Sequence, residues 1–313
     1  LGDTFALGMT AQPLKENSMS IAPEESPMPR HLLLATDLSA RCDRALDRAA
    51  QLAREWYADL LAVNVLNPAA SPDQALAWLG GASEEQLLQV ARQQLAHDLA
   101  TANVPVTLRL VRGTDATAAI RDTAASTRSD LVVTGVSCNE TLGRFLLGST
   151  VEQLANSLSQ PLLVVRKRAH GPYQRIVVAS DFSASSRQAL LIAARFFPDR
   201  ELVLYHATAL AMSGLLNSAP PPGAGAGIAD TECAAFLAAT AFPEAVKIRP
   251  VVECGAIESM LTRYVREHGV DLVVMGSGSR SGLMGLLLGS TAARLLDWLP
   301  CDVLLVHPPG AVP

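Results

Sequence analysis

The stretch His31-Leu-Leu-Leu-Ala-Thr-Asp37-Leu-Ser39 and its return as Arg175-Ile-Val-Val-Ala-Ser-Asp181-Phe-Ser183 decide the fold of this chain. In both, an unbroken apolar run ends in Asp-x-Ser, a pattern of a strand covered on both faces that runs into a helix start. Two further blocks recur in the same order. Asp130-Leu-Val-Val-Thr-Gly135 returns as Asp271-Leu-Val-Val-Met-Gly276, and Leu146-Leu-Gly-Ser-Thr150 as Leu287-Leu-Gly-Ser-Thr291. The first block is displaced by 144 residues and the other two by 141.

Two copies at so long a period mean a duplicated domain, since solenoid repeats run to roughly 20–50 residues. The 313 residues suffice for two domains, each with its own core. The copies span 30–168 and 172–308, joined at Arg168-Ala-His-Gly171-Pro172, and residues 1–29 form an N-terminal tail. In copy one, β-rich runs at 31–36, 59–66, 104–111, 130–135 and 161–166 alternate with helical patterns at 40–56, 84–101, 115–128 and 149–159. The class is therefore α/β, with each copy a doubly wound, five-stranded parallel sheet. Copy two repeats the scheme, except that a Pro-, Gly- and Ala-rich stretch from Ala209 to Ala229 is expected to form a mobile loop before a shorter helix at about 230–241.

Composition narrows the partners. A net charge of −5, with no basic cluster denser than Arg166-Lys167-Arg168, offers no phosphate-neutralising face for nucleic acid, and that trio reads as a solvated strand end. Apolar runs such as Leu131–Val133 and Leu286–Leu288 fall far short of the roughly 20 residues of a membrane span. Five scattered cysteines (42, 138, 233, 254 and 301) fit a reducing cytoplasm, and the tail, with Asp3, Glu16, Glu24 and Glu25, lacks the basic and apolar regions of a signal peptide. The six histidines do not pair at metal-ligand spacing, so no metal site is expected. Trp56, Trp78 and Trp298 read as packing residues.

In an open parallel sheet, ligands sit at the carboxyl ends of the strands where strand order reverses. Two parts of each copy reach that place. One is Asp37-Leu-Ser39 or Asp181-Phe-Ser183, where the serine can cap the next helix and the carboxylate can hold a sugar or base. A purely structural reading makes these aspartates helix caps. The other is the loop after strand four: Gly135-Val-Ser-Cys138, nine residues, then Gly148-Ser149-Thr150, and likewise Gly276-Ser-Gly-Ser279, nine residues, then Gly289-Ser290-Thr291. Glycines permit close backbone approach, and a Ser-Thr helix start presents N–H and hydroxyl donors to phosphate. The structural alternative is a tight turn into a helix, with Ser149 and Glu152 as a capping box.

This frame resembles the motif of ATP-binding universal stress proteins: Gly, two residues, Gly, nine residues, Gly, then Ser or Thr. Both copies depart from it at the middle glycine, which is Cys138 in one and Ser279 in the other. The resemblance implies an adenine nucleotide alpha hydrolase-like sheet of order 3-2-1-4-5. It also implies a site for ATP or another adenine nucleotide, with Mg²⁺ as companion, built in copy one from Ala35, Thr36, Asp37, Val65, Thr134, Gly135, Gly148, Ser149 and Thr150. In copy two the matching positions are Ala179, Ser180, Asp181, Ala207, Met275, Gly276, Ser279, Gly289, Ser290 and Thr291, with Arg280 placed to reach a phosphate.

Fifth strands at 161–166 and 303–307 are expected to pair, so that the tandem chain forms an intramolecular pseudo-dimer, with further homodimerisation as an expectation. The function implied is a cytoplasmic stress-response module that binds nucleotide rather than turning it over. Two alternatives stay open. One is slow ATP hydrolysis using Asp37 or Asp181, although no Walker lysine accompanies the glycines. The other is a scaffold that takes no nucleotide, which the substituted middle glycines favour.

Overall fold

The computed structural model describes residues 28–38, 42–66, 84–98, 104–136, 140–141, 144–145, 148–208, 226–242, 246–278 and 288–307. Ser39, Trp78, Cys138, Ser279, Arg280 and most of the Pro- and Gly-rich stretch lie outside the described residues, as do residues 1–27 of the tail. The chain forms two compact units, Leu1–Gly135 and Val136–Pro313.

In the first unit, β1 (His31–Ala35), α1 (Asp43–Trp56), β2 (Asp59–Leu66), α2 (Glu84–Asp98), β3 (Val106–Arg112), α3 (Ala116–Ser126) and β4 (Leu131–Gly135) alternate along the chain. All pairings are parallel, in the order β3-β2-β1-β4, with Ala35 opposite Val63 and Leu32 opposite Leu131. The apolar runs behave as the sequence predicts: Leu32, Leu33, Leu34, Leu131, Val132 and Val133 are all buried. Burying such a side chain contributes about 1.5–3 kcal/mol. Helix α1 places Ala45, Ala49, Leu52, Ala53 and Trp56 on its buried face at spacings of three and four, and ends on Tyr57 in the left-handed conformation.

The second unit begins with a two-stranded ladder of β5 (Glu140–Thr141) and β6 (Arg144–Phe145), followed by α4 (Ser149–Ser157) and β7 (Leu162–Val165). Then come β8 (Ile176–Ala179), α5 (Ala184–Phe196), β9 (Glu201–Thr208), α6 (Ala226–Ala238), β10 (Lys247–Cys254), α7 (Ile257–Glu267), β11 (Leu272–Gly276), α8 (Ser290–Trp298) and β12 (Asp302–Val306). Strands β10-β9-β8-β11-β12 run parallel in the expected 3-2-1-4-5 order, and β7 lies antiparallel on β12 with Val303 opposite Val164. The two fifth strands therefore do pair.

One repeated carboxylate closes the start of each sheet. Asp130 Oδ2 accepts the backbone N–H groups of Arg30 and His31, and Asp271 Oδ2 those of Gln174 and Arg175. The aspartate that opens the Asp-Leu-Val-Val block thus ties strand four to the entry of strand one.

Several local expectations are corrected. Arg166 is not a solvated strand end: it is buried, donating through Nη1 to the Leu299 carbonyl at 2.7 Å and through Nη2 to that of Leu296. Its backbone N–H and that of Lys167 bond to Oδ1 of Asp302, a fully buried carboxylate whose Oδ2 accepts the Tyr173 hydroxyl at 2.6 Å. Trp298 is not a packing residue, being 42% exposed. Gly148, not Ser149, is the N-cap of α4, and no side chain caps it, so the capping box does not form. Helix α1 starts at Asp43 rather than 40, and α6 spans Ala226–Ala238 rather than 230–241.

Candidate functional site

Strand order in the second unit reverses between β8 and β11. At the carboxyl ends of those strands lies a cavity of about 480 Å³. It gathers every described residue expected for copy two: Ala179, Ser180 and Asp181 after β8, Ala207 on β9, Met275 and Gly276 on β11, and Gly289, Ser290 and Thr291 at the start of α8.

The turn after β8 is strained in a way the sequence does not announce. Phe182 has φ 61°, and its counterpart Leu38 has φ 58°, conformations that cost a non-glycine residue on the order of 1 kcal/mol. The same bonds hold both turns: Leu38 N–H donates to Thr36 Oγ1 and Phe182 N–H to Ser180 Oγ, each at 3.0 Å. In copy two, Phe182 stacks on His206 with ring centroids 4.3 Å apart and packs against Phe236. Asp181 is not the N-cap of the helix that follows it. Asp181 Oδ1 accepts the Ser183 N–H, Ser183 caps α5 by accepting from Ser186, and the N-cap of α1 is Cys42.

A side chain on the second strand fixes the residue before each aspartate. Asn64 Nδ2 donates to the Thr36 carbonyl at 3.0 Å, and His206 Nδ1 lies 2.7 Å from the Ser180 carbonyl. Because a carbonyl only accepts, Nδ1 of His206 carries the hydrogen. His206 also lines the cavity, where it and Asp181 are the titratable residues among the described lining.

The two glycines of the motif have different reasons to be glycine. A Cβ on Gly276 would stand 2.2 Å from Ser185 Oγ and 2.9 Å from the Ser185 backbone, so glycine there lets α5 approach β11. Gly278 N–H then donates to Ser185 Oγ at 3.3 Å. Gly289 has φ −61° and ψ 147°, open to any residue, and among the described residues a Cβ would come no nearer than 3.5 Å, at the Gly278 carbonyl. No packing demand of the described chain explains Gly289.

Gly289 is also the uncapped N-cap of α8, and its own N–H is held by the Ser277 carbonyl at 2.8 Å. The first intrahelical bond is Ala293 N–H to Gly289 O, so helix geometry leaves the N–H groups of Ser290, Thr291 and Ala292 without intrahelical acceptors. All three residues line the cavity, giving it the donors and the positive dipole end that an anion requires.

In the first unit, Ala35, Thr36, Asp37, Val65, Thr134 and Gly135 stand at the carboxyl ends of β1, β2 and β4, whereas Gly148, Ser149 and Thr150 belong to the second unit. Cys42 Sγ donates to Asp37 Oδ1 at 3.1 Å, and burial, with the Asp37 charge adding to it, pushes the thiol up to about 11. Sequence reading missed His206, Ser185, Ser186, Ile257, Ala292 and Leu295 as cavity residues. Only His206 carried a signal, as the partner of Asn64 in the repeat. The others reach the cavity through helix packing.

The family model described as the universal stress protein family matches residues 28–166 and 172–307. A universal stress protein of Mycolicibacterium smegmatis is 26% identical over 295 residues, covering 88% of this chain and 97% of the relative. Universal stress protein Slr1230 of Synechocystis is 28% identical over 152 residues, 48% of each chain. Among solved structures, a universal stress protein from Archaeoglobus fulgidus superposes with a TM-score of 0.64 over 91% of this chain and 99% of that one, at 19% identity, a likeness of fold. With both repeats matched by the model, the chain belongs to the universal stress protein family as a tandem, two-domain member.

Proposed function

We propose that the chain is a nucleotide-binding regulatory module of the stress response, and that its working site is the copy-two cavity, which takes an adenine nucleotide such as ATP. The observation that carries this reading is the glycine at 289, which packing among the described residues does not require, beside three N–H donors at the start of α8. In this reading the phosphates rest on Gly289, Ser290 and Thr291, and the nucleoside lies toward Asp181, His206 and Ala207. The described lining offers one carboxylate, Asp181, so a Mg²⁺ ion would be held chiefly by phosphate oxygens and water. The two sequence repeats, 30–168 and 172–308, then act as domains of one intramolecular pair in the cytoplasm, with homodimerisation as a further step.

Calorimetric titration with ATP and Mg²⁺, comparing the native chain with Ser290→Asp, tests the reading. A carboxylate in the first turn of α8 favours the helix by about 0.3–1 kcal/mol, so folding is preserved. About 5 Å from a doubly charged phosphate in a water-like medium, it repels by roughly 1.7 kcal/mol, a loss of about 15-fold in affinity. No saturable binding to the native chain up to millimolar ATP, or identical binding by Ser290→Asp, would overturn the assignment.

A further inference from the structure

Ser277 lies between the cavity-lining Gly276 and Gly278, yet its own side chain is buried, 1% exposed, and lies 2.8 Å from Nδ1 of His307. His307 follows β12 and is itself 5% exposed. Burial holds its imidazolium form down to a pKa of about 4, so the ring is neutral and one partner donates to the other. Its Nε2 has no hydrogen-bond partner among the described residues.

The bond bears on the cavity through Ser277. The Ser277 N–H donates to the Val306 carbonyl at 2.9 Å, and the Ser277 carbonyl accepts the Gly289 N–H at 2.8 Å. A single residue thus joins the end of β12, the glycine turn after β11 and the N-cap of α8. Copy one lacks the device: displaced by 141, the corresponding positions are Val136, which cannot make the bond, and Arg166, whose guanidinium bonds to the Leu296 and Leu299 carbonyls.

We propose that His307 is a positioning residue that locks the copy-two binding turn, fixing through Ser277 the placement of Gly278 and Gly289 against an incoming phosphate. The proposal rests on the nucleotide reading of the cavity for its ligand but not for its effect on the turn. It gives copy two a tie that Val136 at the matching position of copy one cannot make.

The test uses the full chain with His307→Leu, His307→Asn and the double variant Ser277→Ala/His307→Leu. Asparagine can replace the Nδ1 partner. The double variant removes both polar groups and so leaves no unpaired hydroxyl, which keeps its melting temperature near that of the native chain. Residue-resolved amide exchange is measured without ligand, and Mg-ATP affinity is measured in parallel. Gly289 amide protection is expected to fall about three- to tenfold in His307→Leu and in the double variant, with affinity falling alongside, and to recover in His307→Asn. Unchanged Gly289 protection in the double variant overturns the lock, whatever the ligand result. Lost protection in a chain that binds no ATP upholds the lock and removes the nucleotide reading instead. Lost protection with undiminished ATP affinity also overturns the proposal, because the turn would then not position the phosphate.

Discussion

Replacing each glycine of the motif with alanine separates what the fold demands from what a ligand demands. At Gly276 the new methyl would lie 2.2 Å from Ser185 Oγ. That hydroxyl can rotate, but the Ser185 carbon and oxygen of the backbone are at 2.9 Å and belong to the first turn of α5. Relief therefore means moving α5 away from β11, an overpacking cost of about 1–3 kcal/mol. At Gly289 the nearest atom among the described residues would be the Gly278 carbonyl oxygen at 3.5 Å, an ordinary contact, and the backbone angles already suit alanine. The cost there is the weaker N-cap preference of alanine, a few tenths to about 1 kcal/mol, partly offset by a less flexible unfolded chain. Urea denaturation of both variants, with Mg-ATP titration of each, reads the difference. Gly276→Ala is expected to lose at least twice the stability that Gly289→Ala loses, whereas Gly289→Ala is expected to lose affinity out of proportion to its stability. If Gly289→Ala is the more destabilised of the two, the assignment of Gly276 to packing and Gly289 to ligand is refuted.

The remaining expectations concern buried groups. His307 titrates at about 4 when folded against an ordinary 6.5, so between those values the unfolded chain takes up a proton that the folded chain refuses, and stability falls as pH drops through that window. The loss amounts to roughly 3 kcal/mol at pH 4, and it should flatten in His307→Asn when chemical denaturation is repeated from pH 7 to 4. Asp302→Ala removes the acceptor of two backbone N–H groups and of the Tyr173 hydroxyl, and is expected to cost about 3 kcal/mol by the same assay; a change below 1 kcal/mol would show that water replaces the carboxylate. Alkylation by iodoacetamide at pH 7.5 should modify exposed Cys254 well before Cys42, whose thiol is held at about 11; mass spectrometry showing Cys42 modified first would contradict its bond to Asp37.

The sheet was legible because its signal is local and repeated. Runs such as Leu32-Leu-Leu34 and Val177-Val178 have to be buried on both faces, and their alternation with helices makes the sheet parallel, whereas the 3-2-1-4-5 order came from the family resemblance. The cavity was legible to the same depth, since Asp181 follows β8 and Gly289 starts the helix after β11, and the pairing of those two strands brings both to one end of the sheet. What stayed hidden depends on contacts between distant residues. Arg166 looked solvated because charge in a basic trio normally is, and only the fold brings Asp302 and the carbonyls at the end of α8 to it. The strain at Phe182 and Leu38 was equally silent, because neither residue type signals a positive φ.

That strain also bears on function. A left-handed Leu38 and Phe182 persist at matching positions in two copies whose surrounding sequences have diverged, although glycine would relieve the conformation at either place. In copy two the residue's ring is stacked on His206, and His206 holds the Ser180 carbonyl, so the strained turn and the second strand fix one another beside Asp181. Copy one keeps the turn but has Asn64 in place of the histidine, and Cys42, at the position of Ser186, bonds through its thiol to the Asp37 carboxylate. Copy two is thus the better prepared of the two: its carboxylate faces a cavity framed by a stacked ring, an uncapped helix start and a turn tied down by Ser277. On the proposed reading, copy two carries the working site, while copy one supplies β7, the strand that pairs with β12.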